Sequence, residues 1–146
     1  MNRINSNKFK MEFDAISKNE ALARVCIAAF ITRIDPTLDV INDVKTAVCE
    51  AVTNSIIHGY DEKGGTIVME AVLEDDSLEV RITDFGKGIE NVPQAMMPMF
   101  TTGEDKERSG MGFTFMEVFM DYLKVESQPG KGTTVIMKKR FNEPQE

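Results

Sequence analysis

The chain reads as an α+β protein, a two-layer sandwich with helices on one face of a mixed, mostly antiparallel sheet. Three observations carry that expectation. Strand patterns adjoin one another in sequence, at 66–83 and again at 122–139, which favours hairpins over crossovers. Helical periods are grouped between the strands rather than alternating with each of them. A length of 146 residues, 42% hydrophobic and 28% charged, suits one domain (1–146) with a core of its own.

The elements follow in order. Residues 8–15 alternate, with Phe9, Met11, Phe13 and Ala15 on one face and Lys8, Lys10, Glu12 and Asp14 on the other: a half-buried strand. Ser17 opens a helix, and Glu20 three residues on completes a capping-box pattern. Asp35-Pro36 breaks that helix, and a second begins near Leu38. Its stripe runs Ile41, Val44, Val48, Ala51, Val52, Ser55 and Ile56, apolar but for one small polar member, until Gly59 stops it. A hairpin follows, with 66–74 as one arm, Asp75-Asp76 as the turn, and Leu78, Val80 and Ile82 alternating on the other. Residues 84–108 then lose periodicity and carry Met96, Met97 and Met99. A loop that long inside a domain is usually functional. A short helix (Phe113, Met116, Met120 and Leu123 on one face), a strand from 122 to 127, a Pro129-Gly130 turn and a strand from 133 to 139 complete the chain.

Composition removes several functions. Seventeen basic residues against twenty-four acidic ones leave a net charge of −7, which argues against gripping nucleic acid or an anionic membrane. A single nucleotide stays compatible, because a few positive groups and backbone N–H donors suffice locally. Residues 1–10 hold no apolar stretch, so no signal peptide is expected, and the longest apolar run, 25–31, is too short to span a bilayer. Cys26 and Cys49 sit in helical patterns without a C-x-x-C pair, and the single histidine, His58, cannot build a His-rich metal site. A cytoplasmic protein with reduced thiols is expected.

Three stretches carry chemistry, mainly by occurring together. In 50–59, Glu50, Asn54 and His58 are spaced i, i+4, i+8 and share a helix face; alone they would be an ordinary solvated face. Asp84-Phe85-Gly86-Lys87-Gly88 ends an alternating strand, where a carboxylate can accept from an amino group and glycines allow close backbone approach. Arg108-Ser109-Gly110-Met111-Gly112-Phe113 opens a helix whose uncapped N–H groups suit phosphates.

In this order, on helix, strand end and loop-to-helix, the three stretches resemble the N, G1 and G2 boxes of the ATPase superfamily that includes gyrase and histidine kinases. The resemblance implies the Bergerat ATP-binding fold. EAVTNSIIHGY at 50–60, Phe100-Thr101-Thr102 and ERSGMGF at 107–113 are more closely similar to the anti-sigma factors of endospore-forming bacteria that double as serine kinases. The similarity runs from the first strand through Gly132-Thr133-Thr134.

The resemblance implies a role for each matching residue. Asn54 would give its side-chain oxygen to Mg²⁺, and Glu50 would be the general base for an attacking serine. Asp84 would read the adenine of ATP or ADP, with Thr133 as a second acceptor or donor through water. Gly86 and Gly88 would form pocket floor and lid hinge; Gly110, Met111 and Gly112 would cradle phosphates, and Arg108 would balance γ-phosphate charge. Residues 89–109 would be the ATP lid. Residues matching Glu20 and Arg24 would contact a sporulation sigma factor and, alternatively, the anti-anti-sigma factor that is the protein substrate. Two positions depart from the family: Phe85, where polar residues are common, and Gly103-Glu104, where relatives often have Lys-Pro.

The first strand, as an unprotected edge, adds the expectation of a homodimer. Neither nucleic acid nor membrane is an expected partner. Two other readings share these residues: a related stress-response anti-sigma kinase, and a nucleotide-gated binding module without kinase activity. A histidine-kinase catalytic domain fits less well, because His58 lies inside the first box and Glu50 already supplies a base.

Overall fold

The computed structural model describes residues 6–97 and 112–141. Within them five strands, β1 (Asn7–Asp14), β2 (Thr66–Glu74), β3 (Ser77–Asp84), β4 (Tyr122–Gln128) and β5 (Gly132–Arg140), form one sheet in the order β1-β2-β3-β5-β4. Every neighbouring pair is antiparallel, so the sheet is not mixed. The reason is in the connections: β1 leads to β2 through two antiparallel helices, and the two later pairs of consecutive strands are tight hairpins. Asp75 takes the first hairpin turn at φ 58°, a left-handed geometry that Asp tolerates.

The inner face is built from rungs that cross the sheet. Phe9, Ala71, Val80 and Met137 make one rung; Met11, Met69, Ile82 and Val135 make the next. The third rung starts apolar with Phe13 and Ile67 but continues as Asp84 and Thr133, both buried. A polar pair in that place marks where the core ends and a site begins.

Helices α1 (Lys18–Ile31), α2 (Leu38–Asn54) and α4 (Gly112–Phe119) cover this face. α1 buries Ala23, Ile27 and Ile31 against α2 and β2, and α2 buries Val44, Ala47, Val48, Ala51 and Val52 in the middle of the layer. The expected stripe is therefore the buried stripe, except that Ile41 is only half-buried. α4 runs back along α2. Its first residue, Gly112, meets Asn54, while Lys139 bridges the Phe119 carbonyl (2.7 Å) and Asp43 (3.5 Å) at the far end.

Local signals differ from expectation in three places. Ser17 does not cap α1: its backbone is already helical (φ −55°, ψ −35°), so its hydroxyl is not turned onto the first free amides. Asn19 holds the entry instead, donating from Nδ2 to the Asp14 carbonyl at 2.8 Å. Glu20, freed from the capping box, accepts from the Thr53 hydroxyl of α2. Second, the break before α2 takes the form of a 3-10 turn (Thr32–Ile34) ending in left-handed Asp35, and Thr37 supplies the cap by accepting from the Val40 amide at 3.2 Å. Third, Leu123 belongs to β4, and the loop after β3 contains a one-turn helix, α3 (Val92–Ala95), capped by Asn91, whose side-chain oxygen accepts from the Gln94 amide at 3.0 Å.

Among the described residues no helix is long and apolar enough to cross a membrane. The two cysteines are free and half-buried. Burial pushes the Cys49 thiol up, so it stays protonated beside Arg24, which donates to its sulfur at 3.4 Å.

Candidate nucleotide-binding site

A cavity of about 490 Å³ opens where the third rung turns polar, within the size range of small-molecule sites. Its walls come from five places: the end of α2, the turn after β3, α3 with its cap Asn91, the start of α4 and the β4–β5 hairpin.

The α2 wall is shaped by a change of helix type. After Asn54 the chain widens into a π turn (Ser55–Gly59), the kind of local bulge found at functional sites. Asn54 and His58 both line the cavity; Glu50 stands one turn further back on α2 and does not line it. Gly112 packs onto this face. A Cβ there would lie 3.1 Å from both terminal atoms of the Asn54 amide and 3.4 Å from Glu50 Oε1. The backbone that begins α4 is thus set directly over the two residues expected to act on a phosphate.

At the floor, Asp84 is 4% exposed. The Gly86 amide donates to its Oδ1 at 3.0 Å, and Ser55 and the Thr133 backbone lie near the same carboxylate. Burial raises its pKa above 3.8, and the neighbouring Gly86, Ser55 and Thr133 partly offset that rise. A carboxylate offers about four acceptor positions, and the Gly86 amide takes one of them, so the group can also accept from a ligand N–H. Ser55, which lines the cavity, carries no sign of a site role in the sequence, because at its place in the apolar stripe it resembles a small core residue.

Gly86 and Gly88 have different duties. A Cβ on Gly86 would overlap the Gly59 carbonyl, which also receives the Lys87 amide at 2.9 Å. Gly86 therefore lets the turn after β3 lie against the π turn, and it does not itself line the cavity. Gly88 does line it, at φ +76°, where L side chains are strained. Gly86→Ala is expected to cost about 1–3 kcal/mol of stability by overpacking, read as a lower urea midpoint at unchanged slope. An unchanged midpoint would contradict this close packing.

Tyr60 braces the same turn, a role with no signal in the sequence. Its hydroxyl accepts from the Phe85 amide at 2.7 Å and donates to the Thr66 carbonyl at 2.6 Å. Phe85 itself is 60% exposed beside the cavity. Lys87 lines the rim, with its ammonium 2.9 Å from Asp61, a solvent-exposed pair that holds the carboxylate below its usual range.

Of the expected site residues, the structure gathers Asn54, Asp84, Gly88, Gly112 and Thr133 around the cavity, with Glu50 and Gly86 immediately behind it. Arg108, Gly110 and Met111 lie outside the described residues, as do Met99, Phe100, Thr101, Thr102, Gly103 and Glu104. Glu20 and Arg24 lie away from the cavity, where both reach from α1 to α2, Glu20 to Thr53 and Arg24 to Cys49. These α2 partners directly precede Asn54 and Glu50 in the chain.

Mg²⁺ fits the donor set in one respect. The described residues hold no group of three or more His, Cys, Asp or Glu side chains that could cage a metal. Mg²⁺ commonly keeps waters and substrate phosphates as most of its ligands, and the Asn54 side-chain oxygen at the cavity wall is a compatible oxygen ligand.

Comparison with known proteins agrees with this geometry. Residues 14–139 match the model of the family described as the histidine kinase-like ATPase domain. The chain is 57% identical over 135 residues to the anti-sigma F factor of Clostridium acetobutylicum, covering 92% of this chain and 94% of that one. It is 59% identical over 137 residues to the anti-sigma F factor of Clostridium botulinum (strain Eklund 17B / Type B), covering 93% and 96%. In fold it is similar to the crystal structure of the RsbU and RsbW domains of a Mycobacterium tuberculosis protein. The TM-score is 0.69 at 20% identity, over 94% of this chain and 33% of that one. The chain therefore belongs to the histidine kinase-like ATPase family and, within it, to the anti-sigma F factors.

Proposed function

We propose that the chain binds ATP in this cavity, phosphorylates a serine of an anti-anti-sigma factor, and holds a sporulation sigma factor in a nucleotide-dependent manner. The observation that carries the reading is the packing of Gly112 over Asn54 and Glu50 beside a cavity whose lining also holds the buried Asp84. The first grouping suits phosphates, the second a base bearing an amino group.

In the reaction, the Glu50 carboxylate takes the proton of the partner's serine hydroxyl. The serine oxygen forms a bond to the γ-phosphorus, the bond from that phosphorus to the β–γ bridging oxygen breaks, and ADP leaves. Mg²⁺, held through Asn54, supplies neutralisation of phosphate charge when bound. Backbone N–H groups from the segment 110–112 would cradle the phosphates, and Arg108 would balance the charge of the γ-phosphoryl group. Residues 89–109 would close over the nucleotide as a lid, Met96 and Met97 providing adaptable apolar cover.

Partner recognition is assigned to α1. Arg24 lies half-buried, in contact with Cys49, and Glu20 is held by Thr53, so both side chains are positioned before a partner arrives. Arg is the side chain best suited to dominate such a contact. Among the described residues β1 is an edge strand of the sheet, and pairing with a second copy would cover it. The sigma factor is held away from polymerase by protein contacts, so no contact with DNA is needed.

The test is co-purification with the sigma factor in ATP, with the Arg24→Ala variant alongside. Retention by the unaltered chain and at least about tenfold weaker retention by the variant are expected, because interface arginines often carry 2 kcal/mol or more. ADP affinity should be the same in both. Equal sigma retention by the two proteins would remove Arg24 from the interface.

A further inference from the structure

We infer that Ser127 sets the base specificity of the cavity by fixing the Thr133 hydroxyl as a hydrogen-bond acceptor toward the ligand. Ser127 lies on β4 and is half-buried, next to the cavity wall formed by Thr133. Three groups surround its Oγ: the Ile89 amide donates to it at 2.8 Å, the Gly132 carbonyl oxygen lies at 3.0 Å, and Thr133 Oγ1 lies at 2.7 Å.

A serine hydroxyl has one proton. A carbonyl cannot donate, so the Gly132 contact is a hydrogen bond only if Ser127 gives its proton there. The Thr133 contact is then a hydrogen bond only if Thr133 donates. Any other placement leaves two oxygens at 2.7 or 3.0 Å with no proton between them, a cost that buried polar groups avoid. With its own proton committed to Ser127, Thr133 presents lone pairs alone to the cavity.

Thr133 pairs with Asp84 across β3 and β5, so two acceptors stand side by side at the floor. Together they select a ligand edge that donates, as the 6-amino edge of a purine does. They oppose the carbonyl oxygen that a 6-oxopurine puts in the same place. Asp84 cannot reverse its preference while it is ionised. Thr133 can, if its hydroxyl is allowed to rotate, and Ser127 is what prevents that rotation.

This inference rests on the nucleotide reading of the cavity and deepens it. The test is calorimetric affinity for ADP and for inosine diphosphate, in the unaltered chain and in Ser127→Ala, Ser127→Thr, Thr133→Val and the double variant Ser127→Ala/Thr133→Val. The ADP preference should fall about fivefold in Ser127→Ala, the effect of one neutral hydrogen bond, and persist in Ser127→Thr. Thr133→Val should show the same fall, and the double variant no more than either single one. Equal weakening of both nucleotides in Ser127→Ala would overturn the inference, because loss of the Ile89 contact or of local packing predicts that pattern. If the unaltered chain binds neither nucleotide, the nucleotide reading itself fails.

Discussion

Asp84→Asn should lower ADP affinity at least about a hundredfold while leaving the fold intact. The buried carboxylate accepts from the Gly86 amide on Oδ1 and keeps acceptor capacity for the ligand. An amide of the same shape turns one oxygen into an NH₂ group. Either that group faces donors inside the protein or it faces the amino group of the base, and both arrangements lose a charge-assisted bond. Such bonds are worth about 1.5–3 kcal/mol each, and an unsatisfied donor adds to the loss; about 2.8 kcal/mol is a hundredfold. Calorimetry with ADP measures the effect, and a native circular dichroism spectrum checks the fold. Affinity within about threefold of the unaltered chain would contradict the assignment.

The same residue gives a pH dependence with a definite sign. Burial raises its pKa above 3.8, so the ionised form is disfavoured in the folded chain. Through this group alone, stability without ligand is greatest below 3.8 and falls as pH rises through the raised value. Adenine recognition runs the opposite way: it needs the ionised form, so ADP affinity should fall as pH drops through that raised value. Ligand binding and unliganded stability therefore make opposing demands on one carboxylate.

Glu50→Gln should abolish phosphoryl transfer by about 10²–10⁴-fold, the usual contribution of a positioned general base. Glutamine keeps the size and a carbonyl oxygen but cannot take a proton. Because Glu50 stands behind the cavity and does not line it, ADP affinity should stay within about threefold. Single-turnover phosphorylation of the anti-anti-sigma factor, set beside ADP titration, separates the two effects. Transfer at the unaltered rate would remove Glu50 as the base.

The two-period patterning of the chain made most of the fold legible. Alternation in 8–15 and 78–82 and the helical stripe from Val44 to Ile56 gave the strands and helices nearly to the residue, because each buries one face against a single core. The antiparallel character of every pair was less visible, since strand direction is fixed by connections and not by composition. The polar end of the third rung was visible only in half: Asp84 stood out on its strand, whereas Ser55 looked like core.

Contacts between distant segments were not legible at all. Nothing near Glu20 announces that Thr53, thirty-three residues on, would take its carboxylate from the expected capping box. Nothing near Tyr60 announces that its hydroxyl would hold the Phe85 amide twenty-five residues away. Gly86 looked like a pocket glycine and proved to be a packing glycine, because its obstacle, the Gly59 carbonyl, sits on another element. Local pattern carries the elements; side chains that tie elements together are chosen by tertiary geometry.

The central claim is that this cavity supports transfer of the γ-phosphoryl group to a partner's serine. It is tested most directly by incubating the purified chain with Mg²⁺, γ-labelled ATP and the anti-anti-sigma factor, and quantifying label on the partner against ADP formed. The expected result is one phosphoserine per partner molecule, with ADP and phosphoprotein appearing in equal amounts. Nucleotide bound or hydrolysed with no label reaching the partner would contradict it.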